Sequence, residues 1–258
     1  MAESGKKVVR VKPTKTSTSA GTTSTSDGNV NWKPSPEAKK KATLYRVIAA
    51  VLWVLAIAAE AFAIFWVLKQ SPVNMVLLII LIVVTGILAI GGSLLWKQAN
   101  RLDPASKSDP IRFFIQNQLG LIVTIIAFVP LIILIFTNKE MDGKQKGIAG
   151  AIGIVVLLVA GYFGLSLNSP SSEQYTAETQ QVIDITGQDL VYWTKAGKVF
   201  HLCEDASAVN LESQDNTIYS GTVADAHAAG KSRLTKQVDQ EIEQCGFEPI
   251  APSPSPSE

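Results

Sequence analysis

Residues 47–68 read Val-Ile-Ala-Ala-Val-Leu-Trp-Val-Leu-Ala-Ile-Ala-Ala-Glu-Ala-Phe-Ala-Ile-Phe-Trp-Val-Leu, 22 positions with one charge, Glu60. A bilayer core about 30 Å thick is crossed by roughly 20 helical residues. Three further runs follow in series: Val73–Trp96, Phe113–Phe136 and Ile148–Leu167, of 24, 24 and 20 residues. Inside lipid each backbone polar group must find its partner within the chain, so each run is expected to be a helix. The fold class that follows is an all-α transmembrane four-helix bundle over residues 44–168. The first run is too long for a signal-peptide core and follows a hydrophilic stretch, so it is expected to stay in the membrane as an anchor.

Charge near the span ends sets the expected threading. Lys39, Lys40, Lys41 and Arg46 precede the first span, and only Lys69 lies in the first connection. The second connection carries Lys97, Arg101, Lys107 and Arg112; the third carries Lys139, Lys144 and Lys146. With the N-terminus in the cytoplasm, eight of these residues face inward and four outward. Four crossings then return the C-terminus to the cytoplasm of a plasma-membrane protein. The stretch from Asn168 to Thr194, which has no Lys or Arg, reads the other way.

Outside the spans the composition changes twice. Residues 1–43 are basic and rich in Ser and Thr, which predicts a disordered tail. Residues 169–258 hold 14 acidic and 5 basic side chains, against 8 and 18 in residues 1–168, so the formal charge of +1 hides an opposed pair of segments. An acidic module argues against nucleic acid as a partner, because phosphate binding needs basic surface. The Ser-Pro repeats of 249–258 predict a second disordered end.

Within the spans Glu60 is the one well-buried ionisable residue, and an intramembrane acid is a functional candidate by default. It could relay a proton or bind a cation; equally, a protonated Glu60 could hydrogen-bond a neighbouring helix. The fourth span is rich in small residues, with Gly147/Ala151 and Ala160/Gly164 four apart, which predicts a close helix contact or a dimer face. Pro130 is expected to bend the third span. Tyr45, Trp66 and Trp96 suit the interfacial positions of aromatic anchors.

In residues 169–248 a small α+β module is expected. Asp189–Thr194 alternates as a strand, Lys195-Ala196-Gly197 turns, and Lys198–Leu202 returns. Thr222 and Asp225 form an N-cap pair for a short helix ending near Gly230. From about Leu234, a last helix would place Leu234, Val238, Ile242 and Cys245 on one face, with Gly246 ending it.

The hairpin running into His201, followed by Gly221-Thr222-Val223-Ala224-Asp225-Ala226, resembles a small ββα domain of the Ada metal-binding type. That resemblance implies a zinc site built from His201 and three thiolates. The positions where those thiolates would stand are Ala206, Thr235 and Val238. His201 alone cannot hold zinc, which takes about four N, S or O ligands. The site is therefore degenerate, and no metal or cofactor is expected. The whole chain also resembles an uncharacterised actinobacterial membrane-protein family with a basic tail, four spans and this small module, a likeness that implies no activity.

Cys203 and Cys245 remain. Outside the cell they could form a disulfide that replaces the metal as the staple; inside they should be reduced thiols. No P-loop, nucleophile elbow or His-Glu-x-x-His motif is present, so an enzyme is not expected. Three functions stay open at this stage. One is a non-catalytic scaffold that binds protein partners or a second copy of itself. The second is a small transporter or proton-linked channel subunit using Glu60, and the third is a metal or redox sensor using His201, Cys203 and Cys245.

Overall fold

The computed structural model describes residues 6–11, 22–24 and 30–248. The chain forms two compact units. One comprises residues 40–100 and 108–169; the other gathers the described residues up to 39, residues 101–107 and residues 170–248.

The first unit is built on α1 (Pro36–Phe65), α2 (Met75–Leu102), α3 (Pro110–Thr137) and α4 (Gly143–Gly164). All four are long and apolar enough to cross a membrane. Large apolar side chains point outward all round them, including Val54, Val76, Ile87, Ile133 and Leu158, each at least 56% exposed. Water would not tolerate such a surface, whereas lipid covers it without cost. The helix starts are set by polar residues. Asp109 accepts from the Arg112 N–H with Pro110 in the first turn, and Asp142 forms a capping box with Gln145. α3 runs unbroken through Pro130.

Inside the bundle, Phe128, Leu78, Ile82, Leu131 and Ile135 interlock with small residues such as Ala63, Ala89, Ala127, Ala149 and Ala160. The small-residue face of α4 is only half the expected one. Ala160 and Gly164 face the interior, but Ala151 is exposed and Gly147 has nothing near it. The packed set is Ala149, Gly150, Gly153, Ala160 and Gly164, which follows the 3.6-residue period that one pair spaced by four does not fix. A Cβ on Gly164 would lie 2.8 Å from the Leu121 nitrogen and 2.9 Å from the Gly120 carbonyl carbon. Backbone atoms cannot rotate aside, so Gly164→Ala should cost about 1–3 kcal/mol of bundle stability. Thermal unfolding in detergent would show it, with Gly147→Ala as the neutral control. Equal melting of the two variants would refute the close approach.

The second unit corrects the reading of the N-terminal segment. Residues 7–10 form β1 (Lys7–Arg10), which pairs in parallel with β5 (Thr217–Gly221). β5 pairs in turn, antiparallel, with β4 (Val191–Thr194), giving the order β1-β5-β4. A second pair joins β2 (Thr22–Ser24) to β3 (Val30–Trp32). β3 lies on α5 (Ser172–Thr186): the Val30 N–H donates to Gln180 at 2.7 Å, and Trp32 meets the Tyr175 ring edge-on at 4.7 Å. α1 then begins at Pro36. The sequence reads as structureless here because the strands are three or four residues long; β1 finds its partner only at Thr217–Gly221, and β3 finds its support only on α5, both beyond the reach of local patterning. Residues 36–43, expected in the disordered tail, belong to α1; residues 1–5, 12–21, 25–29 and 249–258 lie outside the described residues.

Three more helices complete this unit: α6 (Ser207–Glu212), α7 (Val223–Ala228) and α8 (Val238–Cys245). The Thr222–Asp225 capping box forms as the sequence suggests, and Gly246 takes the left-handed position, φ 69°, that stops α8. The returning strand Lys198–Leu202 does not form. His201 bridges Tyr192, while Phe200 bridges Leu234 on its other side. The turn between them is occupied by Lys231, whose ammonium donates to the carbonyls of Thr194 and Gly197, both at 2.6 Å, and of Lys195 at 3.3 Å. Burial lowers the pKa of this lysine, against the opposing pull of Glu212. α8 starts at Val238 rather than near Leu234, because Leu234 and Thr235 are drawn into the bridge with Phe200.

Candidate functional site

The most concentrated chemistry of the second unit surrounds its two histidines, both buried. His201 lies between two carboxylates. Its Nδ1 is 2.6 Å from Glu241 Oε1, and the other Glu241 oxygen accepts from the Leu202 N–H at 2.9 Å. Its Nε2 has no hydrogen-bond partner and faces Glu212 Oε2 at 3.9 Å. Glu241 reaches His201 because α8 places it on the buried face beside Ile242. Glu212 ends α6 and enters over Gly197, where any Cβ would collide with its carboxylate.

His227 sits on α7 and is satisfied on both sides. Nε2 meets Glu178 Oε2 at 2.6 Å and Nδ1 meets the Lys231 carbonyl at 3.0 Å. The ring stacks on Tyr175 at 4.0 Å and stands edge-on to Phe200. Burial pushes the Tyr175 phenol above its ordinary range, and its hydroxyl donates to the Arg101 carbonyl. Both imidazoles are thus held by carboxylates of neighbouring helices. Sequence reading singled out His201 but had no means of finding Glu241, Glu178 or Glu212, since carboxylates on a polar helix face carry no mark of a partner.

Cys203 and Cys245 are bonded to each other across 42 residues, tying the strand end to the end of α8. The positions where the resemblance would place thiolates are otherwise occupied. Ala206 packs with Val209 and Ile218, Thr235 hydrogen-bonds to Phe200 and Gln237, and Val238 joins the main core. Among the described residues no group of three His, Cys, Asp or Glu side chains is arranged to hold a metal ion.

No family model, curated protein or solved structure matches the chain. The geometry therefore carries the functional argument alone.

Two other places in the second unit carry carboxyl groups with shifted acidity. An open cleft of about 830 Å³ between β3 and α5 is lined by Trp32, Lys33, Ser106, Glu173 and Gln180, among others. Gln180 accepts from the Val30 N–H and Thr176 from the Trp32 N–H there. Desolvation pushes Glu173 up, but donation from the Lys107 N–H and the Ser106 hydroxyl outweighs it and holds the carboxyl at about 2. The second place is the start of α7, where Asp189 accepts from the Val223 N–H at 2.9 Å. Burial, together with the Asp225 charge and against the Val223 hydrogen bond, raises Asp189 to about 6 from 3.8.

That shift gives a pH dependence with a definite sign. A folded-state value above the free value means that folding favours the protonated form. The stabilisation is complete below about pH 4 and is lost as pH rises through about 6. Asp189→Asn keeps an acceptor for Val223 and removes the titration. It should flatten this part of the stability profile and raise stability at neutral pH, by at most about 2–3 kcal/mol. Urea unfolding of the full chain in detergent across this pH range, followed by Trp193 fluorescence, is the measurement; an unchanged slope would refute it.

In the first unit, Glu60 is 5% exposed, and Oε1 has no partner. Thr85 and Ser93 on α2 are also buried with unpartnered hydroxyls.

Proposed function

We propose that the chain is a multi-pass plasma-membrane protein that acts as a non-catalytic scaffold, with the second unit as its interaction domain. The observation that supports this most is how the reactive side chains of that unit are used. His227 is hydrogen-bonded through both nitrogens, and His201 is held through Nδ1 by the buried Glu241 carboxylate. Both cysteines are joined. Such groups stiffen a small domain and are not poised at a cleft. Protein partners, or a second copy of the chain, are the occupants that a rigid acidic unit on a membrane anchor suits. The test is gentle solubilisation and co-purification of the full chain. A partner retained in fixed stoichiometry is expected; a chain that elutes alone at the monomer mass in every mild detergent would refute the proposal.

We infer that both ends lie on the cytoplasmic side. β1 precedes the first membrane helix and β5 follows the fourth, and strands of one sheet lie on one side of a membrane, in keeping with an even number of crossings. The basic flank of α1 supports the cytoplasm. The Cys203–Cys245 bond pulls toward an oxidising compartment. The flanking charge ranks first, because it acts when the helices insert, before the second unit folds. In the cytoplasm the two sulfurs, held together by the fold, would be reduced. An impermeant maleimide should then leave intact cells unlabelled and label both cysteines after lysis. A bond that survives in alkylated intact cells would move both ends outside together.

A second reading, a proton-linked role for Glu60, is favoured by one observation, the buried and unpartnered Oε1.

A further inference from the structure

Resting on that second reading, we propose that Glu60 is a proton-binding site reached from one side only, along a ladder of buried polar side chains at the end of the bundle where α2 stops and α3 starts. The register of the helices carries the argument. Trp53 on α1 donates to the Ala89 carbonyl at 3.4 Å, packs on bare Gly92 and meets the Trp96 ring at 5.3 Å. The two helices run antiparallel. Two turns further along α1 therefore correspond to two turns back along α2, which brings Glu60 level with Thr85. The Leu131 backbone N–H of α3 faces the same carboxyl.

The other pairings give the rungs. At the open end Asn100 donates to Asn117 at 3.3 Å, both buried. Next comes Ser93, facing bare Gly120. Thr124 follows one turn on, its hydroxyl donating to the Gly120 carbonyl at 2.8 Å. Then come Thr85 and Glu60. Successive rungs are about one helical turn, ~5 Å, apart. A hydroxyl or carboxamide both donates and accepts, so a proton can pass between such groups with a single transient water at each gap.

Beyond Glu60 the ladder ends. Ala63, Val67, Leu68, Val73, Leu78, Ile82, Leu131, Ile135 and Met141 fill the rest of the interior. None of their side chains can carry a proton. The arrangement is a half-path closed on the far side, which suits a site that loads and unloads from one compartment. Packing alone does not explain it. Ala89, Ala127 and Ala160 show that alanine fits this seam, whereas Thr85 and Ser93 are desolvated without a hydrogen bond in return.

Infrared difference spectra of the full chain in lipid vesicles, wild type minus Glu60→Gln, test this. A protonated-carboxyl band that titrates with pH and shifts in deuterium oxide is expected. Ser93→Ala removes only an unpartnered oxygen, so it should fold normally, and it should slow the isotope exchange of that band by about tenfold or more. Asn117→Leu should do the same from the entrance. Absence of any titrating band dependent on Glu60 would overturn both the proton site and the ladder. A band that exchanges at the wild-type rate in both variants would overturn the ladder and leave the site.

Discussion

Glu241→Ala should destabilise the second unit by about 2–6 kcal/mol, because it leaves two buried polar groups without their hydrogen-bond partner at about 1–3 kcal/mol each. Glu241 and His201 have side chains 3% and 1% exposed, and they meet at 2.6 Å. The carboxylate also holds the Leu202 N–H, so truncation orphans a backbone donor as well as an imidazole nitrogen. Glu241→Gln separates these effects. Its amide oxygen can still accept one of the two hydrogen bonds while the charge is lost, so its cost should fall between those of wild type and alanine. Urea unfolding of the full chain in detergent, read by Trp193 fluorescence, is the measurement. Trp193 is 2% exposed in the same core as Phe200 and Leu202; with Trp53, Trp66 and Trp96 changed to Phe in every variant compared, the signal reports this unit rather than the bundle. An alanine variant within about 1 kcal/mol of wild type, the range of exposed pairs, would mean that the pair contributes no more than a surface contact.

The bundle was legible in the sequence because its period and length are local properties. Val73–Trp96 must be helical wherever its neighbours lie, and α2 covers all of it but Val73 and Asn74. The second unit was legible only in pieces. The cap at Thr222 and the stop at Gly246 are local signals, and both were found. β1, β3 and α5 were not, for different reasons. Lys7–Arg10 is a strand because β5 offers it an edge, and nothing in Lys-Val-Val-Arg indicates which edge. α5 buries Tyr175, Thr179, Val182 and Ile185 at helical spacing, but its other faces are so polar that the stripe is faint. The candidate site followed the same pattern. Glu60 stands out against lipid; Glu241 is one acid among many until the chain brings it to His201.

Cys203→Ser should cost about 4 kcal/mol in the oxidised protein, from the chain entropy released when a loop of this length is opened. The bond spans 42 residues. The loop contains α6, β5 and α7, so the unfolded chain gains freedom over most of the domain when it is cut. The bond and the His201–Glu241 pair also share α8. Cys245 lies one turn beyond Glu241, and Cys203 lies two residues beyond His201. Each clasp therefore holds the other's partners in place. Their losses should couple: Cys203→Ser combined with Glu241→Ala should cost less than the sum of the two, by about 0.5–3 kcal/mol in a double-mutant cycle. Simple addition would show that α8 is anchored independently at each point. Treating the wild type with reductant should reproduce the single serine variant without mutation. If reduction leaves the unfolding midpoint unchanged, the buried carboxylate pair alone holds the fold that the resemblance assigns to zinc.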